Sequence, residues 1–207
     1  MSSIDELLRH PGVWRARDQD TSSQPRGLPT GFSALDSCLP GGGWPRQGLI
    51  ELLADSPGIG ELSLLMPALV ALCGETHEGG WLAWVSPPYQ PYAPALAACG
   101  IDIARVLVVR SGPAVWVMEQ ALRSGSCSAV LGWANAIDMS SLRRLQLAAE
   151  QAGCLAVLFR RSQESHLPSP AVLRLMLSAR PAGLEVRILK SRGARPTGMT
   201  LPYGSLQ

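Results

Sequence analysis

The chain has 207 residues, 46% of them hydrophobic, and a formal net charge of +2, enough apolar material for one sizeable core and too much for wholesale disorder. No apolar run approaches the roughly 18 residues of a membrane span, and residues 1–6 lack the basic and apolar regions of a signal peptide, so a cytoplasmic protein without membrane contact is expected. The five cysteines (Cys38, Cys73, Cys99, Cys127, Cys154) form no C-x-x-C, and with His10, His77 and His166 they offer no metal spacing. They are expected to be buried or half-buried free thiols, with no metal and no cofactor.

Ser3 and Glu6 make a capping-box pattern ahead of Leu7 and Leu8, predicting a short helix within residues 1–12 that Pro11-Gly12 stops. Residues 13–27 are polar apart from Val13 and Trp14, and a linker arm is expected over 13–29. Trp14, with Arg15 beside it, either folds back on its own domain or anchors in a partner's pocket, a role in which tryptophan is favoured. One domain is expected over 30–207, entered through a short helix and a glycine cluster, Gly41-Gly42-Gly43, that permits a tight turn into the first strand.

Residues 49–66 organise the rest. An apolar run (Leu49, Ile50, Leu52, Leu53, Ala54), the turn Asp55-Ser56-Pro57-Gly58-Ile59-Gly60 and a run of helix formers predict strand, turn, helix, the geometry of a phosphate-binding loop. The chemistry disagrees. In a GxxxxGK(S/T) loop the lysine neutralises phosphate and the hydroxyl holds magnesium. With Gly60 as the second glycine, Asp55 stands at the first, Glu61 at the lysine and Leu62 at the hydroxyl, so two carboxylates would face a triphosphate.

Further strands are expected at 81–85, 106–109, 129–133 and 154–159. Between them lie helices with Val115, Met118 and Leu122 on one face, then Leu142, Leu145 and Ala149 on another, the second capped near Asp138. Alternating strands and helices predict an α/β fold with a mainly parallel sheet buried on both faces, which would bury both Trp81 and Trp84. A helix is expected over 171–178, then a half-exposed strand at 184–190, a basic loop, and a closing strand at 199–203 that makes a C-terminal antiparallel edge. Arg187, Lys190, Arg192 and Arg195 make this the most basic part of the chain, and Arg160, Arg161, Arg174 and Arg180 are candidates to extend it into one basic face.

The pattern Thr30-Gly31-Phe32-x-x-Leu35-Asp36, the run Gly41-Gly42-Gly43-x-Pro45-Arg46-x-Gly48, the strand that follows and the stretch 95–103 resemble the RecA-like ATPases over roughly 28–203. The resemblance implies a RecA-like P-loop-type core, and its catalytic positions are lost. The water-activating glutamate falls at Pro88, the magnesium-serving aspartate at Gly132-Trp133, and the sensor residue at Arg160 or Arg161. Loss at independent segments, together with Glu61 and Leu62, points to a fold kept for its surfaces and to a protein that is not an enzyme.

Within that superfamily a catalytically empty domain of this length, with a Trp14-Arg15-Ala16 arm and a basic tail, looks like the ImuA family of SOS mutagenesis accessory proteins, related to the SulA division inhibitors. That resemblance implies an adaptor for an ImuB-like polymerase homologue and its translesion polymerase assembly, with RecA or DNA phosphates as further partners. The alternative is a SulA-like inhibitor that binds FtsZ. Lys190 and Arg192 are read as fingers reaching a neighbour's nucleotide site, as contacts to DNA phosphates, or as a solvated loop.

Overall fold

The computed structural model describes residues 27–74, 80–191 and 197–203. In chain order the elements are α1 (Ser33–Asp36), β1 (Leu49–Ala54), α2 (Glu61–Gly74), β2 (Trp81–Val85), α3 (Ala93–Ala98), β3 (Val106–Val109), α4 (Ala114–Arg123), β4 (Cys127–Trp133), α5 (Met139–Ala152), β5 (Leu155–Arg161), β6 (Leu173–Arg180), β7 (Gly183–Ser191) and β8 (Gly198–Leu201). The strands form one mixed sheet in the order β3-β2-β4-β5-β1-β6-β7-β8. The six strands from β3 to β6 are parallel, and β7 and β8 add the expected antiparallel edge.

The near-continuous apolar strands are explained by burial on both faces. Ile50, Leu52, Trp84, Leu131 and Val157 turn toward Leu64, Leu65 and Leu69 of α2 and Leu35 of α1. Leu49, Ala83, Val130, Ala156 and Leu158 turn the other way, toward Met118 and Leu122 of α4 and Leu142, Leu145 and Ala149 of α5. Both helix faces are those that the 3.6-residue spacing selects. Gly132 allows the close packing of α4 on β4, since a Cβ there would lie 2.0 Å from Met118 Sδ. The α5 N-terminus is capped by Asp138, whose carboxylate accepts from the Ser141 amide at 2.9 Å and from the hydroxyls of Ser140 and Ser141.

Several expectations need correction. Residues 173–180 form β6 rather than part of a helix: Leu173, Leu175 and Leu177 alternate into one core, and Arg174 between them is buried too. A helical reading treats that arginine as solvent-facing. Trp81 is 46% exposed while Trp84 is buried, because Trp81 begins β2 at the rim of the sheet, opposite Cys127. Leu28, assigned to the arm at 13–29, is a core residue bridged to Trp44, with amide-to-carbonyl bonds of 2.9 and 2.7 Å, so the domain begins by Gly27. Cys99 is exposed, not half-buried, whereas burial, reinforced by the neighbouring Cys127, pushes the Cys154 thiol up to about 12.

Missing from the sequence reading is an ion cluster inside the sheet. Glu51, in the middle of β1, is fully buried and pairs with both flanking strands: Arg160 of β5 at 3.0 Å and Arg174 of β6 at 2.7 Å. The Ser169 hydroxyl donates to the same carboxylate at 2.8 Å. Arg174 also donates to the carbonyls of Glu164, Ser165 and Leu167, and Arg160 pairs with Glu164. One carboxylate thereby ties three strands to the segment that crosses from β5 to β6. Removing one partner of such a pair strands the other charge in a dry site, so Arg174→Met is expected to cost about 3–5 kcal/mol, read as a lower urea midpoint at unchanged slope.

The Asp138 cap generates a second expectation. The hydroxyls of Ser140 and Ser141, then the Ser141 amide, hold its carboxyl well below the usual carboxylate range. A depressed folded-state value means that the contribution is complete above the ordinary aspartate range, near about pH 4, and is lost as pH falls toward the folded value. Asp138→Asn is therefore expected to flatten the acid limb of the stability profile and to leave its neutral limb parallel to that of the parent, as followed by thermal melts across pH.

Candidate functional site

The carboxyl ends of the parallel strands carry the candidate site, as open α/β sheets favour. β1 runs into the 55–60 turn, where Gly58 and Gly60 hold φ of +86° and +110°, values that side-chain-bearing residues rarely adopt. Glu61, the first residue of α2, folds back into this turn. Its carboxylate accepts from the Gly58 amide at 2.7 Å and from the Ile59 amide at 2.9 Å, and the residue is 95% buried, being only 5% exposed. Convergent amides at a helix N-terminus are the donors such a turn offers to a phosphate. Here they are occupied by the chain's own anion, which the positive end of the α2 dipole also favours.

This geometry refines the expectation of two carboxylates facing a triphosphate. Glu61 is drawn into the turn, and the Asp55 carboxylate accepts from the Ser162 hydroxyl. Leu62 packs half-buried against the main core, which leaves no hydroxyl at the position expected to hold magnesium. Among the described residues no group of three His, Cys, Asp or Glu is placed to hold a metal ion. No helix among them is long and apolar enough to cross a membrane.

Between the turn and the ends of β2, β4 and β5 lies a cleft of about 500 Å³. It gathers Asp55, Glu61, Pro88 and Trp133, four positions that the sequence singles out, into one place. Pro88 presents no side-chain oxygen there. The Trp133 ring stacks on Phe159, centroids 4.4 Å apart and planes within 7°, so an aromatic floor lies where a metal-binding carboxylate was sought.

Of the basic candidates Arg160 and Arg161 line this cleft, whereas the described C-terminal ones do not. Arg187 is exposed on β7; Lys190 is exposed near the other end of the sheet, where Ser191 pairs with the first residue of β6, and its ammonium donates to the Ser169 carbonyl at 2.8 Å. The extended basic face is corrected: Arg160 and Arg174 are buried on Glu51, and Arg180 pairs with Glu185 at 2.7 Å. Trp14, Arg15, Arg192 and Arg195 lie outside the described residues, as do the 1–12 helix and most of the arm. The sequence reading missed Ser86 and Asn135 on the cleft wall and Glu51 behind it. A glutamate in the middle of an apolar strand, with arginines in two others, was the available signal for the last.

The fold and site together define a mixed α/β domain whose glycine-bearing turn is closed by its own carboxylate. The model of the family "Cell division inhibitor SulA" matches residues 49–156, and the chain belongs to this family. It is 36% identical over 130 residues to the cell division inhibitor SulA of Edwardsiella piscicida, covering 61% of this chain and 76% of that one. It is 31% identical over 141 residues to the protein ImuA of Caulobacter vibrioides, covering 65% of this chain and 57% of the relative. The crystal structure of SulA from Pseudomonas aeruginosa aligns with a TM-score of 0.44 at 25% identity, over 55% of this chain and 98% of that chain.

The closed turn makes a direct prediction. Glu61→Ala removes a buried acceptor from two amides that lie near solvent, so water recovers part of the loss and a destabilisation of about 1–2 kcal/mol is expected. Backbone amide exchange at Gly58 and Ile59 should accelerate in the same variant, while β1 and β5 stay protected.

Proposed function

We propose that this chain is a non-catalytic, RecA-like adaptor in SOS-induced translesion synthesis, working beside an ImuB-like polymerase homologue and its polymerase assembly. The observation that carries the reading is the Glu61 carboxylate on the amides of Gly58 and Ile59: the turn keeps the shape of a phosphate loop and fills it with its own anion. Its position, central in a mainly parallel sheet with an antiparallel C-terminal edge, supports the RecA-like assignment. The similarity to ImuA over 141 residues supports the pathway. RecA and DNA phosphates are proposed as further partners through the basic C-terminal end, where Arg187 and Lys190 are its described residues and Arg192 and Arg195 extend it in sequence, and through the Trp14 arm.

The similarity to SulA proteins favours a second reading, a division inhibitor that acts on FtsZ. Two features weigh against it. Strands β6 to β8, with Arg187 and Lys190, lie outside the 49–156 match, and the arm expected over 13–29 carries Trp14; a compact cap on a polymerising partner needs neither, whereas an adaptor uses both.

Deletion of the gene is expected to lower damage-induced mutation frequency, with full recovery by the parent chain, while overproduction in undamaged cells leaves cell length unchanged. Filamentation on overproduction, with damage-induced mutagenesis intact in the deletion strain, would establish the inhibitor instead. Titration of the full chain with Mg-ATP is expected to give no heat of binding at micromolar concentrations. Saturable heat there would return the domain to the working ATPases.

A further inference from the structure

The outer face of the paired helices α4 and α5 belongs neither to the core nor to the carboxyl-end cleft. Each helix returns from the carboxyl end of one parallel strand to the amino end of the next, so the two run parallel and pack side by side over the sheet. Met118 and Leu122 of α4, with Leu142, Leu145 and Ala149 of α5, commit the apolar stripes to the core. Helices so placed are ordinarily polar on the outer arc. Here Trp116 is 58% exposed and Leu147 57%, and among the described residues they are the exposed large apolar side chains that helices carry. One such residue alone is ordinary, whereas two on adjoining helices with arginines between them have the composition of a docking surface.

The seam between the helices is pinned. Glu119, buried on α4, accepts from Arg123 of its own helix at 2.8 Å and from Arg144 of α5 at 3.3 Å, and Arg144 also donates to the Ser141 hydroxyl at 3.1 Å. Both arginines stay exposed, and Arg143 beside them is exposed with no acidic partner among the described residues. One carboxylate among three arginines leaves the patch positive. The nearby acids of α5 lie to its sides: Glu150 accepts from Gln146 on the flank that lines a recess with Arg46 and Gln47. Asp138 caps the first turn, roughly 9 Å along the axis from Arg144 and so about a Debye length away.

Trp116 stands about one turn before Glu119, and Leu147 about one turn after Arg144. The two are therefore roughly 9 Å apart along the helix axes and about 8–10 Å apart across them. That diagonal is close to the roughly 11–12 Å between residues two turns apart on a third helix laid obliquely over the seam. Charge then selects among occupants. Two copies of this face would set arginines against arginines. A duplex would pair with the guanidinium groups and leave Trp116 and Leu147 without a partner. An acidic amphipathic helix satisfies both.

We propose that the α4–α5 face is a docking site for an acidic amphipathic helix of a partner protein, which lays apolar side chains on Trp116 and Leu147 and carboxylates on Arg123, Arg143 and Arg144. The inference deepens the adaptor reading, on which it rests, by naming a surface and the chemistry of what binds there.

The test titrates the full-length 15N-labelled protein with a synthetic peptide of two Glu-Leu-Glu-Glu-Leu-Ala-Glu repeats. Saturable shifts are expected at the Trp116 indole and at the amides of Gln120, Arg123, Arg143 and Leu147. Binding should weaken at least tenfold when alanines replace the peptide's leucines or lysines replace its glutamates. The pair Trp116→Ala and Leu147→Ala, exposed changes outside the core, should cost at least the same factor. Arg143→Glu should weaken the glutamate peptide and strengthen the lysine one. Absence of saturable shifts up to roughly 1 mM peptide overturns the proposal, as do shifts confined to another surface. Equal binding of the alanine peptide overturns it too, since the face would then act by charge alone. So does a DNA duplex or a phosphatidylglycerol vesicle that moves these resonances at lower concentration than the peptide. A failed titration alongside loss of mutagenesis in the deletion strain removes the docking site alone; intact mutagenesis in that strain, with the peptide bound, removes the adaptor reading and leaves the site.

Discussion

The buried carboxylate of Glu51 is the constraint around which the domain is arranged. β1 is the strand that carries the turn, and Glu51 fastens it on one side to β5 through Arg160 and on the other to β6 through Arg174. Buried ion pairs contribute little net stability, because desolvation offsets most of the attraction, but a misplaced register would leave three charges unpaired. The cluster therefore acts mainly on specificity. It sets β6 beside β1, and it holds the 162–170 crossover, whose 3-10 turn Ser162–His166 lies against β1, by three carbonyls and a serine hydroxyl.

That arrangement positions the cleft. Phe159, Arg160 and Arg161 are consecutive on β5, so anchoring the middle residue on Glu51 sends Phe159 to the opposite face, under Trp133, and leaves Arg161 at the rim. Ser162 then reaches Asp55 across the same edge. Structural charges and surface charges thus alternate along one short segment, and only the latter are available to a partner.

Glu61 does at the turn what Glu51 does in the sheet, on a smaller scale. A strand–turn–helix with two glycines in left-handed conformations leaves convergent amides that need an acceptor, and in the absence of an external anion the chain supplies one. The motif keeps its geometric role, launching α2 across the sheet from the end of β1, while its binding capacity is used internally.

The sequence by itself determined the architecture where the signal is local and periodic. Alternating apolar runs and 3.6-residue faces predicted seven of the eight strands in place, the α4 and α5 burial faces, the Asp138 cap, the antiparallel edge and the unusual chemistry of the 55–62 turn. It misjudged residues whose environment is made by distant chain. Arg174 looked like a surface residue because its partner is 123 positions away in sequence; Arg160 looked like part of a basic face because its partner is 109 away. Trp81 and Leu28 were misjudged for the same reason, since the rim of the sheet and the reach of its core are properties of the assembled layers. Whether a charge serves the inside or the outside depends on which strands become neighbours, and strand order is a long-range outcome that one-dimensional periodicity does not encode.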